Sequence, residues 1–409
     1  MKKLFAVALG VLTAIGGFVD IGDLVTNAVV GSRFGMSLAW VVALGVVGIC
    51  LFANMSGRVA AVSGRATFEI IRERLGPRAG LANLGASFFI NLMTMAAEIG
   101  GIALVLQLVT GVGPLLWMPL AAFAVWIVVW RAKFSQLENA AGLLGLSLIV
   151  FAVAVVMLGP DWGALGRQAF APSIPASENP ASYWYYAVAL FGAAMTPYEV
   201  FFFSSGAIEE GWTRRDLGQA RVNVLVGFPL GGVLSLAIAA SAATVLLPQA
   251  ISVTSLSQVV LPVVQAGGTV AFCFLVVGML AAFFGAALET TLSSGYTIAQ
   301  YFGWSWGKFR RPAQAARFHL VMIVGLLLAL GILLTGVDPV AVTEYSVVFS
   351  AVALPLTYVP ILVISNDPDY MGRDVNTPAV NAVALVYLVV IVVAAVAAIP
   401  LMILSGAGA

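Results

Sequence analysis

From residue 4 onward the chain runs in apolar stretches of about twenty residues or more, separated by short polar loops that hold most of the charge. A helix needs about 20 apolar residues to cross a hydrocarbon core about 30 Å thick, so each stretch reads as a membrane span. The pattern predicts eleven, near 4–31, 36–60, 80–110, 114–130, 139–159, 183–205, 222–247, 268–300, 316–336, 340–365 and 380–405. The fold class expected is therefore an all-α integral membrane protein. The run after "MKK" is too long for a cleaved signal, so the first span is expected to be retained.

Charge placement sets the orientation. With the N-terminus inside, every one of the nineteen basic residues except Arg33 and Arg167 falls in an interior loop. Membrane proteins show this bias, and a miscounted span would scramble it. The C-terminus is then extracytoplasmic, in an inner or plasma membrane. The mixed charge run "GRATFEIIRERLGPRAG" (64–80) reads as a solvated loop face, and "YWYY" (183–186) as an interfacial aromatic belt.

Composition narrows the classes further. Sixty-one per cent of the residues are hydrophobic and nine per cent charged, against about 25% charged in soluble domains. The chain has one histidine and two cysteines, without CxxC, HExxH or GxSxG, so neither an intramembrane enzyme nor a resident cofactor is expected. Cys50 and Cys273 read as small buried residues. Nothing points to nucleic acid or to an obligate protein partner.

Six acids stay within or near apolar spans: Asp20, Asp23, Glu98, Glu199, Glu289 and Glu344. Charges inside membranes are costly and mark ion pathways. Without cationic partners, these acids must be neutralised, hydrogen-bonded or bound to a cation. Asp20 and Asp23 lie deep in span 1, where Gly22 could let the helix break and expose backbone carbonyls. Span 6 carries a second interruption at Pro197, which removes a backbone donor and frees carbonyls near Ala193 and Ala194. Thr196 adds a hydroxyl, and Glu199 falls in the first turn after the break. A carboxylate cap on each half-helix is the plainer role for Asp23 and Glu199. The candidate metal ligands are thus Asp20, Asp23, Ala193, Thr196 and Glu199, with Glu98, Tyr198, Ser346, Glu289 and Glu344 as candidate pathway or coupling residues.

Spans 1 and 6 head two blocks of five that would enter the membrane from opposite sides. Matching broken helices in inverted repeats are the usual pointer to a midplane transport site. A ten-helix core over residues 1–365 is expected, with repeats near 1–159 and 183–365, followed by a loop and an eleventh span in 366–409.

These residues resemble the NRAMP family of divalent-metal transporters over nearly the whole chain. The family's Asp-Pro-Gly-Asn motif, with its later Gly-Ser and Phe-Gly, lines up without a gap on "DIGDLVTNAVVGSRFG". Its span-6 Met-Pro-His matches "TPY", and "MAAEIGG", "ETTLSSGYTIAQ" and "GVDPVAVTEYSVVFSAVALPLTYVPILV" are similar to its spans 3, 8 and 9–10. The resemblance implies a LeuT-like fold with the ion bound between the unwound parts of helices 1 and 6. It makes Asp20 the metal-binding aspartate and places Ser346 near a metal-site glutamine.

The departures bear on the ion. Asp23 stands where the family has asparagine, Thr196 where it has a metal-binding methionine, and Tyr198 where it has histidine. Hard oxygen donors suit Mg²⁺, Ca²⁺ and Mn²⁺. Met95 and Phe203 replace an aspartate and a histidine of the family's proton pathway, and His319 lies near the inner end of span 9. These changes are similar to the NRAMP-related magnesium transporters. The expected function is uncoupled divalent-cation transport, Mg²⁺ first and Mn²⁺ second. The alternatives are a proton-coupled Mn²⁺/Fe²⁺ transporter of the same family and an ion-coupled symporter of a small organic solute.

Overall fold

The computed structural model describes residues 18–132, 140, 143–176, 178–308 and 310–407, with no β-strand among them. The helices are α1 (Ile21–Phe34), α2 (Ala39–Ser63), α3 (Thr67–Leu75), α4 (Pro77–Thr110) and α5 (Pro114–Arg131). There follow α6 (Val150–Leu158), α7 (Trp162–Phe170), α8 (Pro180–Ala194), α9 (Pro197–Glu209) and α10 (Leu217–Val245). The last five are α11 (Leu256–Phe302), α12 (Ala316–Leu334), α13 (Pro339–Ser365), α14 (Pro368–Met371) and α15 (Pro378–Ser405).

Among the described residues nine helices are long and apolar enough to cross a membrane, or up to ten if the bent pair Leu143–Leu158 and Trp162–Phe170 counts as one. The expected eleven spans are therefore only partly matched, and the differences have local causes. In span 1 the described helix is the 14-residue α1, and residues 1–17 of the expected span lie outside the described residues. In span 5 a 3-10 turn at Leu146–Ile149 leads into α6, after which the chain turns by 118° into α7. Elsewhere the expected boundaries fall within a few residues of the observed ones. Within α11, Gly268 takes a left-handed φ of 59°. This conformation suits glycine, and it separates the span expected from residue 268 from a preceding helical stretch.

The joined helices α8 and α9 form the most deeply buried span, whereas α5, α12 and α15 are mostly exposed. Helices α2, α4, α10, α11 and α13 surround α1 and the α8–α9 pair. Small residues permit the closest approaches: a Cβ on Gly31 of α1 would sit 2.2 Å from the Ala239 carbonyl oxygen of α10. In lipid, such contacts take over much of the role that hydrophobic burial has in water.

Three local expectations are corrected. Tyr183, Tyr185 and Tyr186 are buried and only Trp184 is exposed, so "YWYY" is mainly internal packing. Tyr183 donates to the Ser37 carbonyl at 3.1 Å, and Arg33 lies over the Tyr186 ring while bonding Glu178 at 2.6 Å. Residues 64–80 are not wholly solvated, because α3 buries Thr67, Phe68, Ile70 and Ile71. The apolar positions of α3 recur at helical spacing, and Phe68 meets Phe201 of α9 edge-on. Cys50 is buried as expected, but Cys273 is exposed.

Candidate metal site

The first interruption lies at Val19–Asp20, two to three residues before the glycine. Asp20 has extended backbone (φ −94°, ψ −177°) and caps α1, its Oδ1 accepting from the Asp23 amide at 2.8 Å. A helix start leaves four amides unpaired, and a short acid before it is a favoured solution. Gly22 is inside α1, where its missing side chain admits Val347 of α13; a Cβ would meet Val347 Cγ1 at 2.8 Å. Gly22 is therefore a packing position, and the capping role falls to Asp20.

The Asp23 carboxylate is held on the far side of this turn. Ser235 of α10 donates to its Oδ2 at 2.5 Å, and the Asn27 amide donates to both Oδ1 and the Asp23 carbonyl at 2.9 Å. Neither residue was singled out from sequence. Asn27 was findable, since it lies four residues along the same helix face, whereas Ser235 sits far away in a small-residue run with no motif around it.

The second interruption is where Pro197 placed it. α8 ends at Ala194, Met195 and Thr196 have non-helical backbone, and Pro197 starts α9. Proline at the first helical position costs no hydrogen bond, yet it denies the Ala193 carbonyl its fourth-residue donor. The Met195 carbonyl accepts from the Tyr358 hydroxyl at 3.1 Å, which anchors the break to α13. Glu199 lies in the first turn of α9 and accepts from Thr196 Oγ1 at 3.3 Å.

The two breaks meet. Tyr198 donates from its hydroxyl to Asp20 Oδ2 at 3.4 Å. Glu98 of α4 reaches the same place, its Oε1 accepting from the Ile21 amide at 3.2 Å while Oε2 has no hydrogen-bond partner. Glu289 of α11 lies within electrostatic range of Asp20, Glu98, Tyr198 and Glu199. Asp20, Asp23, Glu98, Tyr198, Thr196, Glu199 and Ala193 are all buried, and Glu289 is partly so.

Two further candidate residues have partners of their own. Ser346 shares a 2.9 Å hydrogen bond with Thr94 of α4, bracing α13 against α4. Glu344 is grouped electrostatically with Arg33, Tyr185 and Tyr186, toward the Arg33 end. No group of three Asp, Glu, His or Cys side chains is close enough to hold a metal among the described residues. In this arrangement a cation would draw on one or two acids together with neutral oxygens, and a third acid would reach it only after leaving its present hydrogen bonds.

A buried, acid-lined junction of two broken helices is transport architecture, and the comparisons with known proteins agree. The profile of the family described as "Natural resistance-associated macrophage protein-like" matches residues 10–400. The chain belongs to the Nramp family.

Within this family, the chain is 27% identical over 384 residues to the "Divalent metal cation transporter MntH" of Deinococcus radiodurans, covering 90% of this chain and 84% of the relative. The fold is similar to the crystal structure of the Eremococcus coleocola manganese transporter in complex with an aromatic bis-isothiourea substituted compound. That match has a TM-score of 0.70 at 18% identity, over 95% of this chain and 85% of the other. MhsT in complex with L-phenylalanine is similar with a TM-score of 0.64 at 18% identity, over 97% of each chain. The architecture is thus that of the LeuT-fold transporters, in a multi-pass membrane protein whose homologues are transporters.

Met195 adjoins Thr196 at the second break. The Met195 sulfur packs on α2, 2.6 Å from where a Gly48 Cβ would be. The Met195 thioether is therefore directed at a neighbouring helix, whereas the polar side chains at the two breaks, Asp20, Thr196 and Glu199, carry oxygens.

Proposed function

We propose that this chain imports a divalent cation by alternating access, Mg²⁺ ahead of Mn²⁺, without obligatory proton coupling. The ion binds between the start of α1 and the α8–α9 break, on Asp20, Thr196, Glu199 and the Ala193 carbonyl. Asp23 joins when it exchanges its Ser235 bond for the ion. The basic loops face the cytoplasm and the C-terminus lies outside, in the plasma membrane, and an inside-negative membrane potential draws the uncoupled cation inward. The resemblance to the magnesium-transporting branch and the five-plus-five inverted repeat belong to the same proposal.

The observation that carries it is the donor set: oxygens at both breaks, with the Met195 sulfur packed on α2. Mg²⁺ dehydrates reluctantly and is usually held by one or two carboxylates and several waters. A junction where Asp23 is engaged elsewhere suits such an ion. A soft transition metal would want sulfur or imidazole.

One observation favours the second reading, proton-coupled Mn²⁺ transport. Glu98 bonds the Ile21 amide, beside Asp20, and Glu289 lies in electrostatic range of both acids. Carboxylates so placed can carry protons past an ion. Uptake by purified protein in liposomes, with Mg²⁺, Mn²⁺ and Ca²⁺ compared, tests the site. Asp20→Ala is expected to abolish uptake of each ion carried, and undiminished uptake would overturn the assignment.

A further inference from the structure

Away from the ion site, a cavity of about 790 Å³ opens between α2, α10 and the start of α15. Its walls are apolar residues such as Val46, Leu225 and Val383, the last two exposed. Along α2 it runs from Val46 to Arg58, about 18 Å at 1.5 Å per residue. One leaflet of a hydrocarbon core about 30 Å thick is about 15 Å deep, so the cavity spans the leaflet at the basic end of the molecule. Its polar lining is concentrated toward that end, where Asn54, Arg58 and Arg221 lie, and no carboxylate lines it.

Arg58 is incompletely used by the fold. Its Nη2 donates to Asn376 Oδ1, but its Nε is buried without a partner. The nearby acid Asp374 is engaged by Arg214 at 3.2 Å. Arg221 stands exposed on the α10 side. A buried guanidinium N–H without an acceptor is expensive, and a turn of the Arg58 side chain toward the cavity it lines would give it a charge-assisted bond to a phosphate oxygen.

We propose that this cavity binds one anionic phospholipid of the leaflet at the basic end. Its phosphate lies on Arg58 and Arg221, and one acyl chain lies along α2 and α10. Basic pockets between spans on the cytoplasmic side are established sites for anionic headgroups. The length of the apolar groove selects a lipid over free phosphate. Because the cavity borders α2, which packs on α9, its occupant touches a helix that contacts the ion-site span.

The test is native mass spectrometry of the full chain in mixed micelles with phosphatidylglycerol and phosphatidylcholine of matched chains. Wild type is expected to retain one phosphatidylglycerol in preference to phosphatidylcholine. Arg221→Gln should weaken that preference about fivefold and Arg58→Gln with Arg221→Gln about 25-fold, at about a fivefold effect per arginine. The distant pair Arg78→Gln with Arg311→Gln should leave it unchanged. Leu225→Trp, which fills the groove and keeps both charges, should reduce retention of either lipid, and millimolar glycerol phosphate should not displace it. Arg221→Gln leaves the Arg58–Asn376 bond intact, so it decides the matter if the double variant fails to fold. Equal retention of both lipids, an unchanged Arg221→Gln variant or displacement by glycerol phosphate would overturn the proposal.

Discussion

The Tyr198 hydroxyl donates to Asp20 Oδ2 at 3.4 Å and so ties the first turn of α9 to the residue that opens α1. The bond is long and correspondingly weak, whereas Asp20 also caps α1 and carries charge. Tyr198→Phe should therefore change the KM for the transported ion by no more than about threefold, a net loss under ~1 kcal/mol. Asp20→Asn should lose transport outright. Tracer uptake by both variants in liposomes checks the contrast.

Asp23 is predicted to depend on Ser235. Removing the 2.5 Å donor by Ser235→Ala leaves a buried carboxylate oxygen short of a partner, at a cost of about 1–3 kcal/mol. The thermal midpoint of the purified protein should fall. Combined with Asp23→Asn, the two changes should be non-additive by more than about 0.5 kcal/mol, and additivity would show that the contact contributes nothing.

Thr196→Met would place a thioether at the break where the Met195 sulfur is packed on α2. Softer donors favour transition metals, so the ratio of Mg²⁺ to Mn²⁺ uptake should fall about tenfold, or about 1.4 kcal/mol in relative selectivity. Competition between the two ions in one preparation measures it.

Most spans were legible because twenty-residue apolar runs have few other readings, and the span-6 break was legible because Pro197 lacks an N–H whatever surrounds it. The first break was only half legible. Two acids in an apolar run announced a site, but Gly22 reads the same whether it frees the backbone or admits a neighbour, and Val347 is far away in sequence. The hydrogen bond that holds Asp23 was not legible, because its partner Ser235 has no local signal. Tyrosines 183, 185 and 186 misled for a related reason: an amphipathic ring suits an interface or a buried packing position equally.

One pH response is expected at the basic end. Lys308 lies in the loop between α11 and α12, and burial lowers its pKa to about 8, against a partial opposing effect of Glu209. The unfolded lysine titrates near 10.4. Between these values the unfolded state binds more protons, so stability rises with pH. The thermal midpoint of wild type should climb between about pH 8 and 10 relative to Lys308→Met; parallel curves would refute this.

The most direct test of the central claim is Mg²⁺ uptake into liposomes containing the purified protein, with internal Mg²⁺ and internal pH recorded together. The account predicts Mg²⁺ entry faster than Mn²⁺ entry at equal concentration, with no acidification of the interior that tracks the ion. Uptake of Mn²⁺ alone, or acidification in step with Mg²⁺ entry, would contradict it.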